Sequence, residues 1–422
     1  MSALAEAPQS TPGQTARRRR RRRLSTSQRL LLAGGIFVVF VFVRSASGIT
    51  DLTSAGVMAA TISLGIPIAL AGLGGLWSER SGVVNIGLEG MMILGTFFAA
   101  AFAYFGHSPW LGIVGGIVGG LLGGIIHAVA TVSFGVDQIV SGVAINILAL
   151  GVSRYLAGVF FTGQPGGGPT QSPQTPKFTT VRVPGLDDEL GKIEAHHWFL
   201  ISDIAGLLRG LLTSLNPFTI LMMLLFPLTW LILWRTAFGL RLRSCGENPS
   251  ESESQGVPVY LMKYIAVMIS GILAGLAGAY LVNFTAVFRE GQTGGRGYIG
   301  LAAMIFGNWR PGGLVVGASI FGYTDALQSR SGAVAVHALL LFVAILLVAG
   351  GIYLVVQARR TTGIICIVLG VLVYLWYHFT DTLPIELTTY TPQIVTLLVL
   401  ALASQRLRMP AADGLPWRRG QA

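Results

Sequence analysis

The chain has 422 residues, of which 52% are hydrophobic and only 11% charged, with a mean hydropathy of +0.67. A soluble domain carries about 25% charged residues, so these values exclude a soluble enzyme or binding module and describe a protein embedded in a membrane along almost its whole length. The net charge of +11 would suit a nucleic-acid partner, but residues 1–29 hold eight arginines (Arg17 to Arg23, and Arg29) against one acid, Glu6.

Residues 1–29 are therefore read as a disordered cytoplasmic tail that fixes orientation and touches membrane lipid rather than nucleic acid. The apolar run Leu30 to Val43 follows at once; no small-residue cleavage site comes after it and Arg44 interrupts, so an uncleaved first span is expected. Spans are expected at about 30–47, 55–76, 84–105, 109–133, 139–161, 217–234, 262–284, 334–357, 362–379 and 389–404. Each is read as a helix, because irregular backbone facing lipid leaves its polar groups unpaired. The tail arginines, Arg235/Arg241/Arg243, Arg359/Arg360 and Arg406/Arg408/Arg418/Arg419 belong inside, with residues 405–422 as a second cytoplasmic tail. The segment 162–216 holds four basic and five acidic residues and opens with a Pro/Gly-rich stretch, Gln164 to Pro176, so it reads as an external, partly ordered connection. Arg44, Arg289, Arg296 and Arg330 run against the orientation rule.

Parity supplies a further expectation. If Asn283 leaves the membrane outside and Arg359 lies inside, the span at 334–357 starts outside, and 299–328 must go in and come back. Its first half, Ile299 to Gly307, is about 13 Å of helix, too short for about 30 Å of hydrocarbon. A re-entrant or broken-helix hairpin turning at Asn308 to Gly313 fits, provided it is buried in protein or lines a cavity. The fold class is thus all-α and polytopic, with about ten spans within 30–404 plus this hairpin. Among the 56 glycines, Gly115-Gly116, Gly119-Gly120 and Gly123-Gly124 place small residues along one helix face, as do Gly271, Gly275 and Gly278, which predicts close helix packing.

Chemistry-bearing patterns are few. Cys245 and Cys366 suggest no disulfide, and the six histidines, His196-His197 included, lack metal-ligand spacing. No phosphate-cradling Gly-x-x-x-x-Gly-Lys-[Ser/Thr], nucleophile elbow or His-Glu-x-x-His occurs. ATP-driven transport would therefore place ATP and Mg on another subunit, leaving no cofactor and no catalytic residue here. Polar residues entering spans are costly and ask for a role. Asn85, Glu89, Asp137 and Asn146 are the path candidates, with Arg154 near them. The two asparagines can hydrogen-bond hydroxyls or bases without burying a charge, whereas Glu89 can instead cap or pair. Asp137 and Arg154 are about 26 Å apart along a helix and pair only if the fold brings them together. The aromatic residues Phe97/Phe98, Phe102 and Tyr104/Phe105 read as packing. In the basic loop 235–261, Asn248 can cap a short helix that starts at Pro249 and runs to about Gly256. Such a helix between two spans can transmit force from a cytoplasmic partner.

Four collinear motifs carry a resemblance: Glu79-Arg80-Ser81-Gly82-Val83-Val84-Asn85-Ile86-Gly87-Leu88-Glu89-Gly90, Gly239-Leu240-Arg241 with Gly246-Glu247-Asn248-Pro249, Gly294-Gly295-Arg296-Gly297-Tyr298 through Trp309-Arg310-Pro311, and Met409-Pro410-Ala411-Ala412-Asp413-Gly414. Over about 50–330 and 384–418 the chain resembles permease subunits of ABC importers of the branched-chain amino acid/ribose type, closest to the nucleoside (simple-sugar-like) branch. Residues 331–383 depart from that pattern as two extra spans. The resemblance implies a type II ABC importer-like fold in a bacterial cytoplasmic membrane. It implies a coupling helix, Gly246 to Val257 with Gly246, Glu247, Asn248, Pro249, Gly256 and Val257 at its ends, docking into an ATP-binding cassette subunit. It further implies a second, related permease in a heterodimer, an extracytoplasmic lipid-anchored solute-binding protein, and a nucleoside or sugar-like cargo. The rival reading is a secondary transporter or channel driven by an ion gradient.

Overall fold

The computed structural model describes residues 25–180, 185–213, 215–391, 394 and 407–418. The arginine run Arg17 to Arg23, most of the expected span 389–404, Arg406 and Arg419 lie outside them. Within the described residues every named element is a helix. Ser25 and Gln28 form a capping box that starts α1 (Thr26–Ser47). There follow α2 (Ala55–Arg80), α3 (Leu88–Phe105), α4 (Pro109–Ala128), which ends in a π-turn over Val129–Ser133, and α5 (Gln138–Phe161). Next come α6 (Leu186–Ala195), α7 (Ile201–Thr213), α8 (Pro217–Arg235), α9 (Ala237–Glu247), α10 (Pro249–Ser254) and α11 (Val259–Thr285). The series closes with α12 (Arg296–Phe306), α13 (Pro311–Val356), α14 (Arg360–Phe379) and α15 (Ile385–Thr389). Among the described residues nine helices, α1 to α5, α8, α11, α13 and α14, are long and apolar enough to cross a bilayer.

The continuous helix α13 is two limbs. Gly332 breaks it with φ 64° and ψ −154°, a conformation open essentially to glycine alone. The ring of Phe40 lies 5.7 Å from that of Tyr323 and 5.3 Å from that of Phe342. A straight helix would hold residues 323 and 342 about 28 Å apart, so the chain doubles back at Gly332. Limb 311–331 therefore completes the hairpin begun by α12, and limb 333–356 is the following span. The turn between α12 and α13 is held by Asn308 and Trp309 at positive φ.

Three expectations need adjusting. Helix α3 begins at Leu88 rather than 84, because Gly82 at φ 84° turns the chain and residues 83–87 run on as coil and turn. The segment 162–216 is more ordered than its composition suggests. It carries α6 and α7, and Ser172 and Thr175 donate backbone hydrogen bonds of 3.0 and 2.8 Å to Phe288 and Ala286. A pairing of Asp137 with Arg154 does not form: Asp137 caps α5, accepting from the N–H groups of Ile139 and Val140, while Arg154 lies 3.6 Å from Glu290.

The centre of the bundle is α2, α3, α4 and α11. With lipid as the alternative solvent, helices gain little by hiding apolar surface from each other, and close packing carries the association. Glycine permits it: a β-carbon at Gly120 would stand 2.1 Å from the Gly271 carbonyl oxygen, and one at Gly275 equally close to that of Gly116. Two of the arginines that defy the orientation rule are neutralised. Arg44 lies 3.0 Å from buried Asp203 of α7, and Arg296 2.6 Å from Asp325 of α13.

Candidate coupling site at the cytoplasmic face

Helices α9 and α10 form an elbow. Thr236 caps α9, and Asn248 caps α10 by accepting from the Glu251 N–H at 3.2 Å, with Pro249 as the first helical residue. A proline there forfeits no intrahelical bond and has the right φ. The helix ends at Ser254, Gly256 takes φ 79°, and the Val257 N–H returns to the Ser252 carbonyl at 3.0 Å. Glu247, Asn248, Glu251 and Gly256 are exposed, so the elbow presents a polar, acidic edge. Its inner side is buried: Cys245 packs with Val259 and Met262, and burial pushes its thiol up to about 11, which keeps it protonated and inert.

The elbow is wired to the motif Glu79 to Gly90. A β-carbon on Gly246 would meet the Arg80 carbonyl oxygen at 2.4 Å, so only glycine allows this approach. Arg80 places one guanidinium nitrogen 3.9 Å from Glu247 and donates two hydrogen bonds, 3.1 and 2.7 Å, to the Trp309 carbonyl. Glu79 accepts from the Trp309 indole N–H. One dipeptide at the end of α2 thus grips the elbow and the tip of the re-entrant hairpin together. Ser78 donates to Val83, and Ser81 to Ser78, which fixes the turn around Gly82.

Further along the motif the candidate path residues separate. Asn85 is fully buried and donates to Ser270 at 2.9 Å while accepting from the Gly87 N–H at 3.0 Å. It ties α3 to α11 and faces no open space in this conformation. Glu89 is also buried; its two oxygens accept from the Gly295 and Gly297 N–H groups at 3.0 and 2.7 Å, satisfying the orphan donors at the start of α12. Asp137 is an exposed helix cap. Asn146 is half-buried and accepts from the Gly90 N–H at 2.7 Å while donating to the Ile86 carbonyl and, at 2.8 Å, to the Tyr298 hydroxyl. Asn146, Tyr298 and the Arg154–Glu290 pair mark an otherwise apolar exposed face of α5, on which Ile147, Tyr155 and Val159 lie bare. Tyr298 stands in the sequence only as part of a motif, since a tyrosine near a glycine run carries no transport signal by itself. Gln138 and His127, which bind the Val84 backbone at 2.6 and 3.0 Å, also escaped sequence reasoning.

The C-terminal strap, residues 407–418, closes the site. Ala412 donates to the Gly246 carbonyl at 2.9 Å, Ala411 to Glu247 at 3.3 Å, and Arg408 to the Asn308 side chain at 2.8 Å. The Trp417 indole donates to Ser250 at 3.2 Å, and its ring lies 5.2 Å from that of Tyr260. Asp413 points inward and is buried; neither of its oxygens makes a well-formed hydrogen bond. Burial pushes its carboxyl up to about 7, against the opposing pull of the cations Lys263 and Arg80.

Residues 57–350 match the family described as branched-chain amino acid transport system / permease component. The chain is 41% identical to the guanosine ABC transporter permease protein NupQ of Bacillus subtilis, over 64% of this chain and 81% of that one. It is 34% identical to the nucleoside ABC transporter permease protein NupC of Lactococcus lactis, over 63% of this chain and 80% of the relative. A weaker likeness, 26% identity over 61% of this chain and 69% of the relative, links it to a second Bacillus subtilis protein, the guanosine ABC transporter permease protein NupP. No solved structure matches. A match over most of its length, together with the nine apolar helices, makes this chain a multi-pass member of the branched-chain amino acid transport permease family.

Proposed function

We propose that this protein is the transmembrane permease subunit of an ATP-driven importer of nucleosides in a bacterial cytoplasmic membrane. The observation that carries the reading is the wiring of the α9–α10 elbow, through Gly246, Arg80 and Trp309, into the re-entrant hairpin. An element that presents an exposed acidic edge to the cytoplasm and moves buried helices when pushed has the form of a coupling device. ATP and Mg belong to a partner ATPase; this chain performs transport and no covalent chemistry. The names of its relatives support a nucleoside cargo. NupQ and NupP, two permeases of one organism with guanosine in their names, both resemble this chain and support a heterodimer with a second permease. The α5 face with Asn146 and Tyr298 is the surface we assign to the path between two such permeases. A lipid-anchored solute-binding protein would deliver the cargo from outside. Its preferential docking on one state couples cargo to the cycle.

The test is reconstitution with the ATPase, second permease and binding protein in vesicles. The double change Glu247→Ala and Asn248→Ala removes the α10 cap and the Arg80 contact but no buried apolar side chain, so the membrane bundle should still fold. It should lower nucleoside uptake at least about tenfold, the effect of losing roughly 1.4 kcal/mol of coupling, while ATP hydrolysis persists. Unchanged uptake would refute the coupling role of the elbow. Uptake by the permease without any ATPase would favour a gradient-driven carrier instead; the ABC permease relatives speak against that rival.

A further inference from the structure

The strap crosses four cytoplasmic connections in turn. At Asn308 it meets the α12–α13 turn, and at Gly246 and Glu247 the elbow. Its Ala412 carbonyl lies beside the α2–α3 turn, 3.2 Å from where a β-carbon on Gly82 would stand. The Arg418 guanidinium lies over Gly135 in the α4–α5 connection, 3.5 Å from the corresponding point. These connections join the helices that build the central bundle and the hairpin, so a displacement of the strap is felt by all of them at once.

The two sides of the strap differ in chemistry. Inward go Pro410, Ala412 and Asp413, all buried, with Asp413 set among Glu79 and Arg80 of α2 and Lys263 of α11. Outward go Met409, 55% exposed, and Leu415, 57% exposed. Both flank the exposed edge of the elbow, since the intervening residues bond to Gly246 and Glu247. Exposed apolar side chains on the lipid-facing helices need no explanation. The strap carries three, Leu407 (38% exposed) beside Met409 and Leu415, and the last two, continuous with a polar docking edge, match the arrangement of apolar anchors within a polar rim that protein interfaces use.

We propose that residues 407–418 are a second coupling element: their outer face, centred on Met409 and Leu415, docks on the same ATP-binding subunit as the elbow, and their inner face carries that subunit's motion to the four cytoplasmic connections. This rests on the elbow being the coupling site. A single short helix delivers force at one point; the strap spreads it across the bundle. The occupant is the ATPase because the apolar pair adjoins the exposed acidic edge of the elbow, to which the strap is bonded at Gly246 and Glu247.

The experiment uses the complete transporter in lipid nanodiscs. Met409→Glu and Leu415→Glu, both at exposed positions, should weaken binding of the ATPase by about tenfold each, as expected for interface anchors, without changing the yield of folded permease. Hydrogen exchange read by mass spectrometry should show the amides of 408–417 slowed when the ATPase is added. Unchanged ATPase binding in both variants, or unchanged exchange, would overturn the proposal. Exchange that is already slow without the ATPase, and insensitive to it, would assign the face to lipid and overturn it equally. The variant Asn248→Ala, at an elbow residue that makes none of the bonds to the strap described above, separates the two levels. If it loses coupled uptake while the strap variants keep ATPase binding, only the strap inference falls; if it too behaves as the wild type, the coupling site itself is misplaced.

Discussion

Asp413 is a titratable group in a place that disfavours its charge. Undocked, its carboxyl would titrate near 3.9; docked, burial raises it to about 7 despite the cations Lys263 and Arg80 nearby. The docked strap therefore binds a proton more tightly than the released one. Docking is strongest below about pH 4, weakens as pH rises through the window up to about 7, and is constant above it, by up to about tenfold per pH unit inside the window. Asp413→Asn mimics the protonated form. Its melting temperature should exceed that of the wild type at pH 8, and the gap should close towards pH 5. A gap that widens on acidification would contradict this assignment. The same scale shows why sequence reasoning about single residues was uneven. Glu89 was expected either to line a path or to cap, and it caps α12. Asn85 was expected at the path, and in this conformation it ties the α2–α3 connection to Ser270 of α11. Sequence exposes the cost of a buried polar group but not which neighbour relieves it.

At the level of elements, the glycine seam between α4 and α11 is the most sensitive contact. Gly120 and Gly275 admit no β-carbon without backbone movement, because the obstacles are carbonyl oxygens and α-carbons rather than flexible side chains. Gly275→Ala should destabilise the bundle by about 1–3 kcal/mol, the range for overpacking a tight core. Gly34→Ala, where no atom lies within 4 Å, should be neutral or slightly stabilising. Thermal unfolding in detergent compares the two directly, and equal melting temperatures would show that the seam relaxes freely. These runs were legible in the sequence because small residues spaced four apart have few other uses in a membrane helix. The elbow was half legible: Asn248-Pro249 announced α10, while α9, with its mixed basic and apolar face, gave no comparable signal. Sequence marked 162–216 only as partly ordered, and its helices α6 and α7 did not show, since distant partners such as Arg44 hold this segment and composition does not record those.

For the whole molecule, counting spans and charges anticipated the all-helical, many-span build and the hairpin of α12 and the first limb of α13, because parity is a global constraint that local ambiguity cannot break, while most of the expected span 389–404 lies outside the described residues. What it could not supply is the electrostatic character of the hairpin. A half-helix starting inside the membrane carries partial positive charge at its first N–H groups, and such ends commonly receive the anionic group of a transported solute. Here that end is already occupied: both oxygens of Glu89 bind the Gly295 and Gly297 N–H groups. The protein fills that end with its own carboxyl group, so a cargo path running beside α12 would offer no reward to a negatively charged passenger. We propose on this ground that Glu89 acts as a charge filter, passing a neutral nucleoside and refusing its phosphorylated form without touching the cargo. Replacing it, as Glu89→Gln, should let a nucleoside monophosphate compete for uptake that it leaves undisturbed in the wild type; competition assays with labelled nucleoside would read the difference, and identical competition profiles would dismiss the filter.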